Sequence, residues 1–234
     1  MKYKNLILIG TSHIAKQSVD EVKNTILEKK PDIIALELDN KRLYALTHKK
    51  KNRMSISDIK KIGIKGYIFS LIGAFIEKKL GDYVGVAPGS EMLAAVNLAK
   101  KNNIKMALID QDIEITLKRF SKMLSWKEKW NFMVDILKAL FLKNKKKVNF
   151  DLRTVPSKEI IEKLIKEVKL RYPNIYKVLV EERNNIMAKN LSHLIVNNPD
   201  KKILGIIGAG HEEEIINLIK QKEDNAISYN IDIG

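Results

Sequence analysis

The chain has no cysteine among its 234 residues. A protein without thiols forms no disulfides, no cysteine-ligated zinc ribbon and no thiol nucleophile. Any metal ion it binds must therefore be held by nitrogen and oxygen ligands. That restriction draws attention to the histidines, of which the chain has only four.

Long apolar runs are missing as well. No stretch reaches the roughly 18 apolar residues that a transmembrane helix needs, so neither a membrane span nor a C-terminal membrane domain is predicted. The first apolar segment after Met1 is too short for the apolar region of a secretory signal peptide. We therefore expect an intracellular, cytoplasmic protein.

The net charge of +15 is concentrated in two segments. Residues 41–66 contain nine Lys or Arg against one Asp, and residues 118–153 contain eleven against three acidic residues. The basic character therefore belongs to these two segments and not to the whole fold. A general bias toward lysine, as in thermophile proteins, is an equally good explanation of the lysine content.

Short apolar runs alternate with helical patterns along the chain. Strands are predicted at 6–9, 32–37, 105–109, 203–207 and 226–231, and helices near 15–29, 90–102, 175–197 and 212–221. This order predicts an α/β fold with a mixed, largely parallel central sheet flanked by helices. We expect a single domain over 1–234, with basic amphipathic helical insertions near 41–80 and 117–170.

Two of the four histidines end matching motifs, Gly10-Thr11-Ser12-His13 and Gly208-Ala209-Gly210-His211. Each motif follows an apolar run that reads as a buried strand. Open α/β sheets bind their ligands at the carboxyl ends of their strands, and neutral imidazole is the commonest metal ligand in proteins. For either histidine alone, a helix-capping or core role is the alternative.

Acidic residues follow two other predicted strands. If the first two strands are neighbours, Glu37 lies beside His13, and the set His13, Glu37 and His211 predicts a site for zinc, manganese or cobalt. Capping of a nearby helix is the alternative for Glu37. Asp110 is a candidate for orienting a ligating imidazole or for moving protons.

Two more residues complete the predicted catalytic group. Arg42 lies just beyond Glu37, and Glu91 opens a predicted helix. Helix capping accounts for an acidic residue at Glu91 quite well, so it ranks below the others.

Six ordered motifs resemble the TraB/PrgY family, which includes the pheromone-shutdown proteins and is related to the Tiki metalloproteases. The motifs are Gly10-Thr11-Ser12-His13, Glu37-Leu38-Asp39 with Arg42, Pro88-Gly89-Ser90-Glu91-Met92, Leu108-Ile109-Asp110, Glu181-Glu182-Arg183 and Gly208-Ala209-Gly210-His211. The resemblance covers about residues 5–219. It implies a metal-dependent peptidase with metal-binding roles on His13, His211 and Glu37, and structural or substrate-orienting roles for Arg119 and Arg183.

The chain departs from the family pattern at three places. Gln111 stands where an arginine is common, and Asn184 stands where an aspartate is frequent. After His211 come Glu212, Glu213 and Glu214 in place of a small turn with glycine. These departures bear on activity more than on the scaffold.

Residues 62–80 and 126–147 combine apolar or aromatic positions with flanking lysines. This pattern is typical of helices that lie on an anionic membrane surface. The alternative is packing of the two helices against each other or across a homodimer. Nucleic acid is disfavoured as a partner because no basic helix accompanies a recognised DNA- or RNA-binding motif.

The sequence thus supports two functional hypotheses. The first is a metal-dependent hydrolase, peptidase-like, acting on a peptide. The second is a non-catalytic peptide-binding or regulatory module of the pheromone-shutdown type at the cytoplasmic membrane face.

Overall fold

A computed structural model of the chain describes residues 1–11, 16–48, 59–61, 63–64, 67, 89–141 and 157–231. His13 lies outside the described residues. So do most of the basic helical insertion predicted near 41–80 and residues 142–156 of the second insertion.

Five strands of the described residues form one sheet. They are β1 (Lys2–Tyr3), β2 (Leu6–Thr11), β3 (Ile33–Leu36), β4 (Lys105–Leu108) and β5 (Ile203–Gly208). The strand order is β1-β2-β5-β3-β4, with β1 antiparallel at one edge and all other pairs parallel. The predicted mixed, largely parallel sheet is confirmed.

The position of β5 corrects one expectation. The first two predicted strands are not neighbours, because β5 lies between β2 and β3 and pairs in parallel with both. All six residues of β5 are buried. A strand composed only of Ile, Leu and Gly is covered on both faces, which favours the centre of a parallel sheet over its edge.

Helices cover both faces of this sheet. They are α1 (Lys16–Lys29), α2 (Asn40–Thr47), α3 (Ser90–Lys101), α4 (Ile113–Met123), α5 (Trp126–Phe141), α6 (Lys158–Arg171), α7 (Pro173–Tyr176), α8 (Glu182–Asn197) and α9 (Glu212–Ile231). A π-helical turn, Lys177–Glu181, joins α7 to α8. The helices predicted near 15–29, 90–102, 175–197 and 212–221 are therefore confirmed.

The strand predicted at 226–231 is wrong, since these residues continue α9. Alternating apolar residues, Ile227, Tyr229 and Ile231, suggested a strand. No glycine or proline separates them from the helix before them, so the helix propagates through the segment.

Each face of the sheet has its own core. On one face, Leu6, Leu8 and Ile207 pack with residues of α8 and α9 such as Leu191 and Ile215. Gly205 allows this packing, because a Cβ there would lie 2.5 Å from Cδ1 of Leu8.

The opposite face packs against α1 and α3. Ile34, Leu204 and Ile206 form one buried cluster with Val22 of α1 and Val96 of α3. Together the two cores fix β5 in the middle of the molecule and determine where its carboxyl end lies.

Within the described residues, no helix is both long and apolar enough to cross a membrane.

Replacing Leu204 by alanine tests the central position of β5. Leu204 is fully buried, so Leu204→Ala is expected to lower the free energy of unfolding by about 2–5 kcal/mol. The matched control is Leu27→Ala on α1, where the leucine is 56% exposed and the expected change is within about 0.5 kcal/mol. Urea denaturation of both variants measures the difference, and equal losses would contradict the assignment of β5 to the core.

Candidate functional site

The pairing of β3 with β5 places Glu37 at the carboxyl edge of the sheet. Its backbone N–H donates to the carbonyl of Ile206 at 3.1 Å, which extends the ladder by one residue. Its side chain then accepts a hydrogen bond from the backbone N–H of Gly208, at 2.5 Å from Oε2. The carboxylate is therefore buried against the last residue of β5.

His211 reaches the same point from the turn that follows β5. The His211 N–H donates to the Gly208 carbonyl at 2.9 Å, which closes the turn before α9. Nε2 of the imidazole lies 3.6 Å from Oε1 of Glu37. Two of the three predicted metal ligands are thus side by side.

The end of β2 lies at this edge as well. Thr11, two residues before His13, pairs with Gly208 across the sheet. His13 itself lies outside the described residues, so its place in the site stays a prediction.

Asn184 in the first turn of α8 holds the imidazole. Its Oδ1 lies 2.6 Å from Nδ1 of His211. An acceptor at this distance keeps the proton on Nδ1 and leaves the lone pair on Nε2, as in histidines that bind metals. The sequence predicts Asp110 for this orienting role, but it is Asn184 that occupies the position at Nδ1.

Arg183, the residue before Asn184, binds the two acidic residues of the site. Its Nη2 donates to Oε1 of Glu37 and also to Oδ2 of Asp110, the latter at 2.6 Å, while Nε lies 3.1 Å from Oδ1 of Asp110. Glu37, Asp110, Arg183, Asn184 and His211 together form what we call the carboxyl-edge site.

Arg42 extends this network outward. It donates from Nη2 to Oδ2 of Asp110 at 2.5 Å and from Nε to Oδ2 of Asp39 at 2.7 Å. Carboxylates and guanidiniums therefore alternate in the order Asp39, Arg42, Asp110, Arg183 and Glu37. Three carboxylates and two guanidinium groups thus form one connected network between α2, the sheet and α8.

The network stabilises the charged forms of its members. Burial raises the pKa of Asp110, but the hydrogen bonds and charges of Arg183 and Arg42 outweigh it, and the net pKa is below the ordinary value. Burial lowers the pKa of Arg183, whereas the adjacent Glu37 and Asp110 carboxylates raise it above its ordinary value. Both groups are charged at neutral pH.

Helix capping is the alternative role for Glu37, but the residue that caps a helix here is Asp39. Asp39 Oδ1 accepts hydrogen bonds from the backbone N–H groups of Lys41 and Arg42, at 2.7 and 3.0 Å, and so caps α2. Glu37 instead binds Gly208 and Arg183. Glu91 is buried in the first turn of α3, and its role in the chemistry stays a prediction.

Two departures from the family pattern are structurally accommodated. Gln111 is buried and donates from Nε2 to Oγ1 of Thr116 at 2.9 Å, while its backbone N–H binds Oδ1 of Asp110. Glu212, Glu213 and Glu214 form the first turn of α9, where negative charge is favourable.

The sequence alone does not identify Asn184 as a site residue. It does contain a signal, because the apolar residues Met187, Ala188 and Leu191 follow Asn184 at helical spacings of three, four and seven residues. This spacing places it on the apolar face of α8. A polar side chain on a buried helix face requires a partner, and here the partner is His211.

The geometry of His211 and Glu37 fits a divalent cation. Zinc binds imidazole nitrogen and carboxylate oxygen at about 2.0–2.2 Å, so two ligands of one ion lie within about 4.4 Å of each other. The separation of 3.6 Å between Nε2 and Oε1 meets this limit. Across the described residues, no group of three or more His, Asp or Glu side chains is arranged to hold a metal. The third ligand that the sequence predicts, His13, lies outside the described residues.

Removing Arg183 is expected to destabilise the protein by about 3–5 kcal/mol, since Arg183→Met takes the shared guanidinium away from two buried carboxylates, Glu37 and Asp110. The control is Arg119→Met, which breaks the pair with Glu182 while the arginine side chain is 48% exposed. An exposed pair contributes little to stability, because water and salt screen it. Equilibrium unfolding in urea at neutral pH measures both, and a loss at Arg183 no larger than at Arg119 would contradict the buried network.

Comparison with known proteins identifies the scaffold. The profile of the TraB/PrgY/gumN family matches residues 2–229. An uncharacterized protein of Methanocaldococcus jannaschii is 36% identical over 225 residues, covering 94% of this chain and 54% of the relative. TraB domain-containing proteins of Mus musculus and Homo sapiens are 23% and 22% identical, over 87% of this chain and 60% of each relative. The chain therefore spans between half and three-fifths of the length of these relatives. With nearly all of its residues matched by the family profile, the chain belongs to the TraB/PrgY/gumN family.

Proposed function

We propose that the protein is a metal-dependent hydrolase that acts on a peptide at the carboxyl-edge site. The observation that carries the proposal is the pair of His211 and Glu37. Nδ1 of the imidazole donates a hydrogen bond to Oδ1 of Asn184, and Nε2 lies 3.6 Å from Oε1 of Glu37. This separation is compatible with two ligands of one ion and supports the proposal.

In the proposal, His13, Glu37 and His211 hold the ion, which is zinc, manganese or cobalt. Such an ion supplies a nucleophile at neutral pH by lowering the pKa of a bound water. The residues of the chain provide the position and charge of the site, and a peptide carbonyl is the expected electrophile.

The arginines and acids around the ion have separate roles in this proposal. Arg183 is 15% exposed and serves to hold Glu37. Arg42 is 28% exposed, and it is the guanidinium that a substrate oxygen reaches more easily. Asp110 has a lowered pKa and is therefore a weak base at neutral pH, so we assign it to positioning the arginines.

Metal binding tests the proposal directly. Wild-type protein is expected to bind one divalent ion, and His211→Ala or His13→Ala is expected to abolish binding because each removes a ligand. His48→Ala and His193→Ala are matched controls, since both histidines are exposed. Titration calorimetry with Zn²⁺, Mn²⁺ and Co²⁺ gives the stoichiometry, and cleavage of a peptide library with and without chelator gives the activity. Full occupancy in both ligand variants would contradict the site.

A second candidate function is a non-catalytic peptide-binding or regulatory module, of the pheromone-shutdown type, at the cytoplasmic face of a membrane. Both carboxylate oxygens of Glu37 already accept hydrogen bonds from the protein, from Arg183 and from Gly208. The Glu37 carboxylate is therefore satisfied by hydrogen bonds within the protein, which a binding module without catalysis would also need.

The surface of α5 favours the membrane part of this candidate. Trp126 and Trp130 are 83% and 65% exposed, one helical turn apart. The ammonium of Lys129 lies 3.8 Å from the centre of the Trp126 ring. Exposed tryptophans among lysines suit the interface of an anionic bilayer. A homodimer that buries the same face is the competing explanation.

Tryptophan fluorescence distinguishes these explanations, because Trp126 and Trp130 are the only tryptophans in the chain. Vesicles containing phosphatidylserine are expected to pellet the protein and blue-shift its emission at low salt. Salt is expected to reverse both effects, since it screens the lysines, and pure phosphatidylcholine is expected to have no effect. The double variant Trp126→Ala/Trp130→Ala should stay in the supernatant. Leu170→Ala, which removes an exposed apolar side chain of α6, should pellet as the wild type does.

No pelleting at low salt would rule out the membrane surface. Emission that is already blue-shifted without vesicles, and that changes with protein concentration, would indicate the homodimer.

A further inference from the structure

Two neighbouring residues of α8 hold the two described members of the proposed metal site. Arg183 binds the carboxylate of Glu37, and Asn184 contacts the imidazole of His211. Asn184 is 1% exposed, so bulk water does not compete for this contact. The first turn of α8 thus fixes the carboxylate and the imidazole relative to each other.

An amide can meet an imidazole in two ways. When Oδ1 faces Nδ1, the proton lies on Nδ1 and Nε2 has a lone pair. When Nδ2 faces Nδ1, the amide donates and the proton must lie on Nε2. The structure has Oδ1 at 2.6 Å from Nδ1, and Nδ2 has no hydrogen-bond partner in the described part of the chain. Among the described residues, the contact with Nδ1 is therefore the hydrogen bond that the Asn184 side chain makes.

The two tautomers give Nε2 opposite properties toward Glu37, whose Oε1 lies 3.6 Å away. With a lone pair on Nε2, the imidazole and the carboxylate present two electron-pair donors to one cation. With a proton on Nε2, the imidazole faces the carboxylate as a hydrogen-bond donor, and that nitrogen is closed to a metal.

We propose that Asn184 is a positioning residue that selects the tautomer of His211 and thereby sets the affinity of the carboxyl-edge site for a metal ion. The metal part of this inference rests on the proposed function, whereas the tautomer part does not. A carboxylate at position 184 accepts only and would hold the proton on Nδ1. An aliphatic side chain of similar size would remove the preference altogether.

The tautomer can be measured without metal. Long-range ¹H–¹⁵N correlation spectra of protein labelled with ¹⁵N-histidine show which ring nitrogen is protonated, and His211→Gln identifies the signals of His211. The spectra are recorded at pH about 8.5, well above the ordinary imidazole pKa of about 6.5.

Wild-type protein and Asn184→Asp are expected to have the proton on Nδ1 of His211, and Asn184→Leu is expected to lose this preference. A wild-type proton on Nε2, or an unchanged Nδ1 proton in Asn184→Leu, would overturn the inference. If the buried charge of Asn184→Asp prevents folding, as judged by circular dichroism, the wild-type and Asn184→Leu spectra still decide the question.

Zn²⁺ titration of the same proteins tests the link to metal binding. Loss of an orienting partner typically costs about 10–100-fold in metal affinity, so Asn184→Leu is expected to bind Zn²⁺ about 10–100-fold more weakly than wild type, and Asn184→Asp more tightly. The control is Asn185→Asp, which adds the same charge at the exposed neighbour, whose amide donates to the Glu181 carbonyl at 2.9 Å. Equal tightening in Asn185→Asp would mean that charge alone, and not the tautomer, sets the affinity.

The two readouts separate failure of this inference from failure of the proposed function. Tautomers that change as expected while no protein binds Zn²⁺ would overturn the metal site and leave the role of Asn184 intact. Zn²⁺ bound with equal affinity by wild type and Asn184→Leu would overturn the role of Asn184 and leave the metal site intact.

Discussion

The ion pairs of Arg183 with Glu37 and Asp110 are the interaction on which the carboxyl-edge site depends. All three side chains are largely or fully buried, and isolated charges in such a place are strongly disfavoured. One guanidinium bridges two carboxylates that come from the ends of two neighbouring strands, β3 and β4. It therefore ties α8 to the sheet at the point where the histidine turn arrives. Arg42 and Asp39 continue the alternation of charge, and Asp39 caps α2 at the same time.

The central strand β5 determines which residues meet at the carboxyl-edge site. Because it pairs with β2 on one side and β3 on the other, its carboxyl end brings His211 next to Glu37 and next to the end of β2. Buried side chains on both of its faces hold it there. A ligand at this edge would be framed by turns and helix starts that are anchored in both cores. In the function that we propose, this rigidity keeps Nε2 of His211 directed toward Glu37.

Much of this arrangement is readable from the sequence, and the failures have physical causes. The alternation of strands and helices, the parallel sheet and the candidates Glu37 and His211 follow from local patterns of apolar residues and glycine. The false strand at 226–231 arose because alternation of apolar residues is a local signal, whereas a strand needs a neighbour to bind its backbone. Asn184 was missed because a single buried amide differs from an exposed one only through its partner, which is 27 residues further along the chain.

The sequence by itself determined most of the helices and strands, the family and the candidates Glu37 and His211, since these depend on propensity, periodicity and motif order within short segments. Only the tertiary structure decided that β5 lies between β2 and β3, and that Asp39 caps a helix while Glu37 does not. It also decided that Arg183 binds the Glu37 carboxylate while Asn184 binds the His211 imidazole. Those outcomes depend on hydrogen bonds and ion pairs between residues far apart in the chain. These hydrogen bonds and ion pairs are strong because both partners are buried, and burial is a property of the folded molecule and not of any one segment.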